Sequence, residues 1–145
     1  MSVDEISGQS EIFMKAYVYT CFDPKVWPYL VEIFDKRFGR HNYFFDPDPG
    51  AVKNLVSPSD SHLPKIVVSK IKAAYLLHPF GILVLVNHSK CGAYKLAGKE
   101  FAGAVKEEEF HKRELGKAAR LLKNDLPRLI IETHYFLKEE SRLKW

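Results

Sequence analysis

Apolar and polar positions along the chain change period several times, and each change marks a predicted element. Residues 1–11 are polar, small and acidic, and read as a flexible N-terminal segment of a single domain spanning 1–145. Ile12 to Thr20 is rich in aromatic and β-branched residues and stops at Cys21-Phe22-Asp23-Pro24, the pattern of a strand running into a turn. Asp23 followed by Pro24 predicts a helix start, since a carboxylate can cap free amides and proline loses nothing in a first turn. Val26, Tyr29, Leu30, Ile33 and Phe34 then recur at helical spacing up to Gly39. His41 to Phe45 reads as a second short strand, and Asp46-Pro47-Asp48-Pro49-Gly50 as an irregular loop. Pro64 opens a helix through Leu77, with Ile66, Val67, Ile71 and Ala74 expected as its buried stripe.

Gly81 to Asn87 is continuously apolar, which predicts a central parallel strand covered on both faces, with His88 at its end. His88-Ser89-Lys90-Cys91-Gly92 forms the next turn, followed by a short helical piece and a longer helix from about Val105 to Asn124. Leu115, Ala118, Ala119 and Leu122 make the apolar face of that helix. Glu108 with Lys112 and Glu109 with Arg113 are expected to pair at i,i+4, and the run Glu107-Glu108-Glu109 to be solvated. Leu129 to Leu137 is a last strand. Strands alternating with helices predict an α/β fold, a parallel-core β-sheet flanked by helices on both faces.

Composition narrows the function classes. A length of 145 residues with 46% hydrophobic content suits one domain with its own core, and the net charge is +4. Residues 1–100 carry 12 basic and 10 acidic side chains and residues 101–145 carry 10 and 8, so the excess forms no stripe. That even spread predicts a solvated surface and no nucleic-acid partner. Apolar runs fall short of the ~20 residues of a membrane helix, so no membrane association is expected. Two cysteines 70 positions apart make no disulfide scaffold, and the start of the chain lacks the pattern of a secretory leader. A reducing, cytoplasmic setting is expected.

Ligands and catalytic groups of parallel sheets gather beyond the carboxyl ends of the strands. Cys21, His88 and Cys91 all lie just past two such ends, and together they use both cysteines of the chain. Two thiolates and an imidazole suit zinc, and three protein ligands leave a fourth position for water. Asp23, in the same turn as Cys21, could fill that position, orient water beside it, or cap the following helix. A dithiol pair of Cys21 and Cys91 in redox chemistry is an alternative that needs no His88. Gly92 is expected to let the chain turn tightly, aiming a helix N-terminus at the metal. His41, His62, His111 and His134 lack partners at ligand spacing and read as structural, His78, before Pro79 at a helix end, as a capping or surface histidine, and Tyr43, Phe44 and Phe45 as core or dimer contacts.

Cys21-Phe22-Asp23 at one strand end and His88-Ser89-Lys90-Cys91-Gly92 at another resemble the C-x-D-x-R and H-x-x-C-G motifs of the β-class carbonic anhydrases, from about Lys15 to Leu137. The resemblance implies a β-carbonic anhydrase-like fold, with Cys21, His88 and Cys91 as zinc ligands and Asp23 as the carboxylate that alternates between the metal and a zinc-bound hydroxide. It implies reversible hydration of carbon dioxide, a carbon dioxide or bicarbonate substrate or an analogue such as carbonyl sulfide or carbon disulfide, and a homodimer or higher homo-oligomer. Lys25 stands where the family carries the arginine that partners the aspartate, which makes it a candidate catalytic residue. Asp46 to Gly50 replaces the family's Arg-Asn-Ala-Gly stretch, and the chain is shorter than is usual, mainly before the first strand. A non-catalytic zinc protein of the same fold is the rival expectation.

Overall fold

The computed structural model describes residues 13–145; the N-terminal segment 1–11 and the expected start of the first strand at Ile12 lie outside them. Four parallel strands build the sheet: β1 (Ala16–Cys21), β2 (Tyr43–Asp48), β3 (Ile82–His88) and β4 (Ile130–Leu137). A two-residue strand, β5 (Arg142–Leu143), adds antiparallel to β4, giving the order β2-β1-β3-β4-β5. Five helices connect them: α1 (Trp27–Phe38), α2 (Lys53–Val56), α3 (Leu63–Leu77), α4 (Gly92–Leu96) and α5 (Ala104–Asp125).

The period of two along each strand splits the core into two layers. Tyr17, Tyr19, Leu83 and Leu85 point to one face and pack against Leu55, Val67, Ile71, Leu115, Ala118 and Leu122 from α2, α3 and α5. Ala16, Val18, Val84 and Val86 point to the other, where Leu30, Phe34 and Phe38 of α1 cover them. Covered on both sides, β3 is buried at every position from Leu83 to His88, as its unbroken apolar run predicts.

Several local expectations change. The first helix begins at Trp27 rather than at Asp23-Pro24. Pro28 has no amide proton to give the Pro24 carbonyl, so the helical ladder starts later. Asp23 instead closes a turn, accepting the Lys25 N–H at 2.8 Å through its carboxylate while its carbonyl accepts from Val26 and Trp27. Asp46, Pro47 and Asp48 are strand, not loop. β2 is the sheet edge, where a proline need break no ladder bond, and Thr20↔Pro47 and Cys21↔Asp48 stay in register. Ile66 is 56% exposed and leaves the α3 stripe to Val67, Ile71 and Ala74.

On α5, Glu107 is buried rather than solvated. Glu108 pairs with Lys144 at 2.6 Å and Glu109 with Lys106 at 3.7 Å, instead of with Lys112 and Arg113. Lys112 lies over the Trp145 ring, so the C-terminal residues, absent from any helical-wheel argument, have taken both partners of the Glu108–Lys112 pair.

Candidate metal centre

The sheet brings the two motifs together by register alone. Thr20 pairs with Val86 across the parallel β1–β3 ladder, so Cys21 and His88 lie one and two residues beyond the same rung. Cys91 follows at the start of α4. One ligand atom from each of Cys21, His88 and Cys91 lies within 4.8 Å of the others, and all three residues are buried. The two sulfurs are 3.9 Å apart. The backbone N–H of Gly50 reaches Cys21 Sγ at 3.4 Å, and those of Tyr94 and Ala93 reach Cys91.

His88 is prepared as a ligand. Its Nδ1 sits 2.6 Å from the Ser89 carbonyl, which can only accept, so the proton belongs on Nδ1 and the Nε2 lone pair is free. Nε2 is buried with no hydrogen-bond partner, facing the sulfurs. A buried, unpaired ring nitrogen costs desolvation energy that a metal would return. The thiols divide unequally: Cys21 is drawn down by the hydrogen bond from Cys91, against its own burial, and further by the Gly50 N–H. Cys91 is pushed up by its hydrogen bond to Cys21, by burial and by the charge on Cys21. A buried pair that favours one thiolate already holds part of the charge a divalent cation needs.

Asp23 does not join this triad; its carboxylate is bound elsewhere. Oδ2 pairs with Lys138 Nζ at 2.8 Å, and Oδ1 accepts the Lys25 N–H. Burial raises the Asp23 pKa, but the Lys138 hydrogen bond, the Lys25 N–H and the Lys138 charge outweigh it and hold the carboxyl below its usual range. The side chain of Lys25 is exposed, and what reaches Asp23 from it is the backbone amide.

Lys138, one residue past β4, is the residue that motif reading missed. The signal was present, because the neighbour of β3 also ends at this rim and its next residue is a lysine. The turn that carries it is pinned to the metal loop: Ser89 Oγ accepts the Lys138 N–H at 2.8 Å and donates to Glu139 Oε2 at 2.8 Å.

Gly92 begins α4 with an ordinary φ, and a Cβ there would meet nothing within 4 Å. The left-handed residue of the turn is Lys90, at φ 53°. A cleft of about 1000 Å³ reaches Cys91, lined among others by Ser89, Lys90, Phe101, Glu107 and Tyr135. Among the described residues no helix is long and apolar enough to cross a membrane.

Comparison with known proteins agrees with the architecture. No family model matches the chain. Uncharacterized proteins of Rickettsia bellii (strain RML369-C) and Rickettsia conorii (strain ATCC VR-613 / Malish 7) are each 32% identical over 87 residues, 59% of this chain. The chain spans about half the length of these relatives, 53% and 47% of each being covered.

Among solved structures, the carbonic anhydrase of Streptococcus mutans superposes with a TM-score of 0.59 at 15% identity, over 97% of this chain and 89% of that one. A tetrameric β-carbonic anhydrase of Sordaria macrospora gives 0.53 at 16%, over 97% and 83%. The Coccomyxa β-carbonic anhydrase, in complex with acetazolamide, gives 0.52 at 14%, over 98% and 75%. At these identities the likeness is one of fold: a five-stranded, mostly parallel sheet flanked by helices, as in β-carbonic anhydrases.

Proposed function

We propose that the chain is a zinc-dependent carbonic anhydrase-like protein that reversibly hydrates carbon dioxide. One observation carries the reading: Cys21, His88 and Cys91 converge within 4.8 Å around a buried, unpartnered His88 Nε2. The donor set fits zinc, two sulfurs and a nitrogen with the imidazole tautomer already fixed, and these three residues would hold it. When bound, zinc supplies a Lewis acid that makes water a competent nucleophile at neutral pH.

Asp23, its carboxyl held below the usual range beside the site, would accept a hydrogen bond from the nucleophilic water and orient it. Lys138 holds that carboxylate in place, the task that motif reading gives to residue 25. An ammonium grips one oxygen where a guanidinium grips two, so Lys138 acts as a point charge, and the Lys25 N–H fixes the second oxygen. Ser89 and Glu139 keep the Lys138 turn against the metal loop. The setting is cytoplasmic and reducing, which keeps both thiols available, and the chain works as a homodimer or higher homo-oligomer.

Metal analysis of the reduced chain, followed by stopped-flow carbon dioxide hydration, tests the reading. One zinc per chain with hydration activity supports it. Zinc without activity on carbon dioxide, carbonyl sulfide or carbon disulfide leaves a non-catalytic zinc protein, and a chain free of zinc after reduction and zinc loading refutes both.

A further inference from the structure

The metal loop contains one residue whose backbone is held where side chains rarely go. Between His88, the last residue of β3, and Cys91, which caps α4, the chain turns through Lys90 at φ 53°. For a residue with a Cβ this left-handed conformation is costly and persists only when its surroundings enforce it. The Lys90 side chain is exposed, its Nζ 3.3 Å from Glu139 Oε1, and an exposed ion pair enforces little. The backbone is held more firmly: the Lys90 N–H donates to Glu107 Oε2 at 2.8 Å.

Glu107, in the first turn of α5, is only 9% exposed, and the residue next to its carboxylate on the same helix face, His111, is tied to β3. Asn87, the residue before His88, places its Nδ2 2.9 Å from His111 Nδ1. With that amide donating, the imidazole proton lies on Nε2, which is buried and 3.9 Å from Glu107 Oε2. Glu107 thus lies between a direct hydrogen bond to the Lys90 N–H, two residues on from His88 and one before Cys91, and a buried imidazole that approaches it without a hydrogen bond.

We propose that Glu107 is a positioning residue of the metal centre: its buried carboxylate locks the Lys90 backbone in the left-handed turn and thereby presets the spacing of His88 and Cys91. The proposal rests on reading Cys21, His88 and Cys91 as metal ligands. It differs from the plainer role of an acidic residue in a first helical turn, which steadies α5 alone. A glycine at position 90 separates the two, because glycine adopts this conformation without help and so needs no carboxylate to hold it.

Zinc affinity is measured on the full reduced chain by competition with a chromophoric chelator, for the unmutated protein, Glu107→Ala, Glu107→Gln, Lys90→Gly and the Lys90→Gly/Glu107→Ala pair. Glu107→Ala is expected to weaken zinc by about 10- to 100-fold, the usual cost of losing a partner behind the ligands. Glu107→Gln, which keeps an acceptor, stays within about fivefold of the unmutated chain, an energy below ~1 kcal/mol. The double variant regains most of the loss. Zinc affinity unchanged in Glu107→Ala, or a double variant as weak as the single one, overturns the proposal.

Amide exchange of Lys90 in the zinc-free, unmutated protein gives a readout that needs no variant to fold. Protection of this exposed residue's N–H supports the lock, and exchange at the rate of a free peptide overturns it. An unmutated chain that binds no zinc refutes the metal reading and the proposal with it. Failure of the proposal alone appears only in the variants or in the Lys90 amide.

Discussion

Asp23 is the residue on which the proposed activity turns, because its carboxylate, held by the Lys138 ammonium, would otherwise be free to occupy the proposed metal. Lys138→Ala is expected to lower kcat/KM for carbon dioxide hydration by about 10- to 100-fold, the size of one hydrogen bond to a charged group, while Lys138→Arg retains most of it. Lys25→Ala, which leaves the backbone N–H in place, is expected to change it by less than about twofold. Stopped-flow hydration on the three variants checks this, and equal losses at Lys25 and Lys138 would contradict the assignment. The convergence of Cys21, His88 and Cys91 was legible in the sequence because all three sit at the ends of predicted neighbouring strands. Lys138 was not, since its partnership with Asp23 spans 115 positions and depends on β4 lying beside β3.

At the scale of elements, α5 illustrates how far periodicity reaches. Leu115, Ala118 and Leu122 were readable as its buried face and are fully buried against the sheet. Leu115→Ala is expected to cost about 2–5 kcal/mol, read as a lower urea midpoint. Val105→Ala on the same helix, 71% exposed, is expected to stay within about 0.5 kcal/mol. A Val105 effect as large as that of Leu115 would mean that α5 packs by another face.

What the apolar pattern missed on α5 is Glu107, a charged residue on the same buried stripe as His111, Leu115, Ala118 and Leu122, where its carboxylate accepts the Lys90 N–H. The β2 edge gives the same lesson from the other side. Asp46-Pro47-Asp48 carries loop-forming residue types, but pairing with β1 extends the strand through them. Tyr17 and Tyr19 donate to Asp46 and Asp48, and Lys70 bridges both carboxylates, at 2.9 Å and 2.7 Å. Cross-strand partners of this kind are a tertiary property that no local pattern contains.

For the whole molecule, ion pairs set the response to acid. Arg37 on α1 grips Glu132 of β4 through two hydrogen bonds, of 2.6 Å and 2.5 Å, and this contact, with His134, holds the Glu132 carboxyl below its ordinary range despite partial burial. Lys144 does the same for Glu108, helped by Trp145. Between the lowered native pKa and the ordinary value near 4, the unfolded chain binds more protons than the native one. These pairs therefore contribute fully above about pH 5 and lose their contribution as pH falls through the native values. Urea midpoints are expected to fall on acidification below pH 5 and to fall less steeply in Arg37→Met. Midpoints that stay level or rise in acid would contradict it.

The proposed zinc would act on the whole molecule too: a ligand that binds only the native chain stabilises it by mass action, so chelation is expected to lower Tm and readdition of zinc to restore it.

Cobalt(II) titration of the reduced chain, followed by absorption, tests the proposed metal centre itself, because thiolate-to-metal charge transfer reports sulfur ligation. The expected result is a near-ultraviolet charge-transfer band and tetrahedral visible bands that saturate at one cobalt per chain, are displaced by zinc, and are lost or weakened in Cys21→Ser, His88→Ala and Cys91→Ser. A chain that binds no cobalt, or binds it with no thiolate band and no dependence on these three residues, would contradict it.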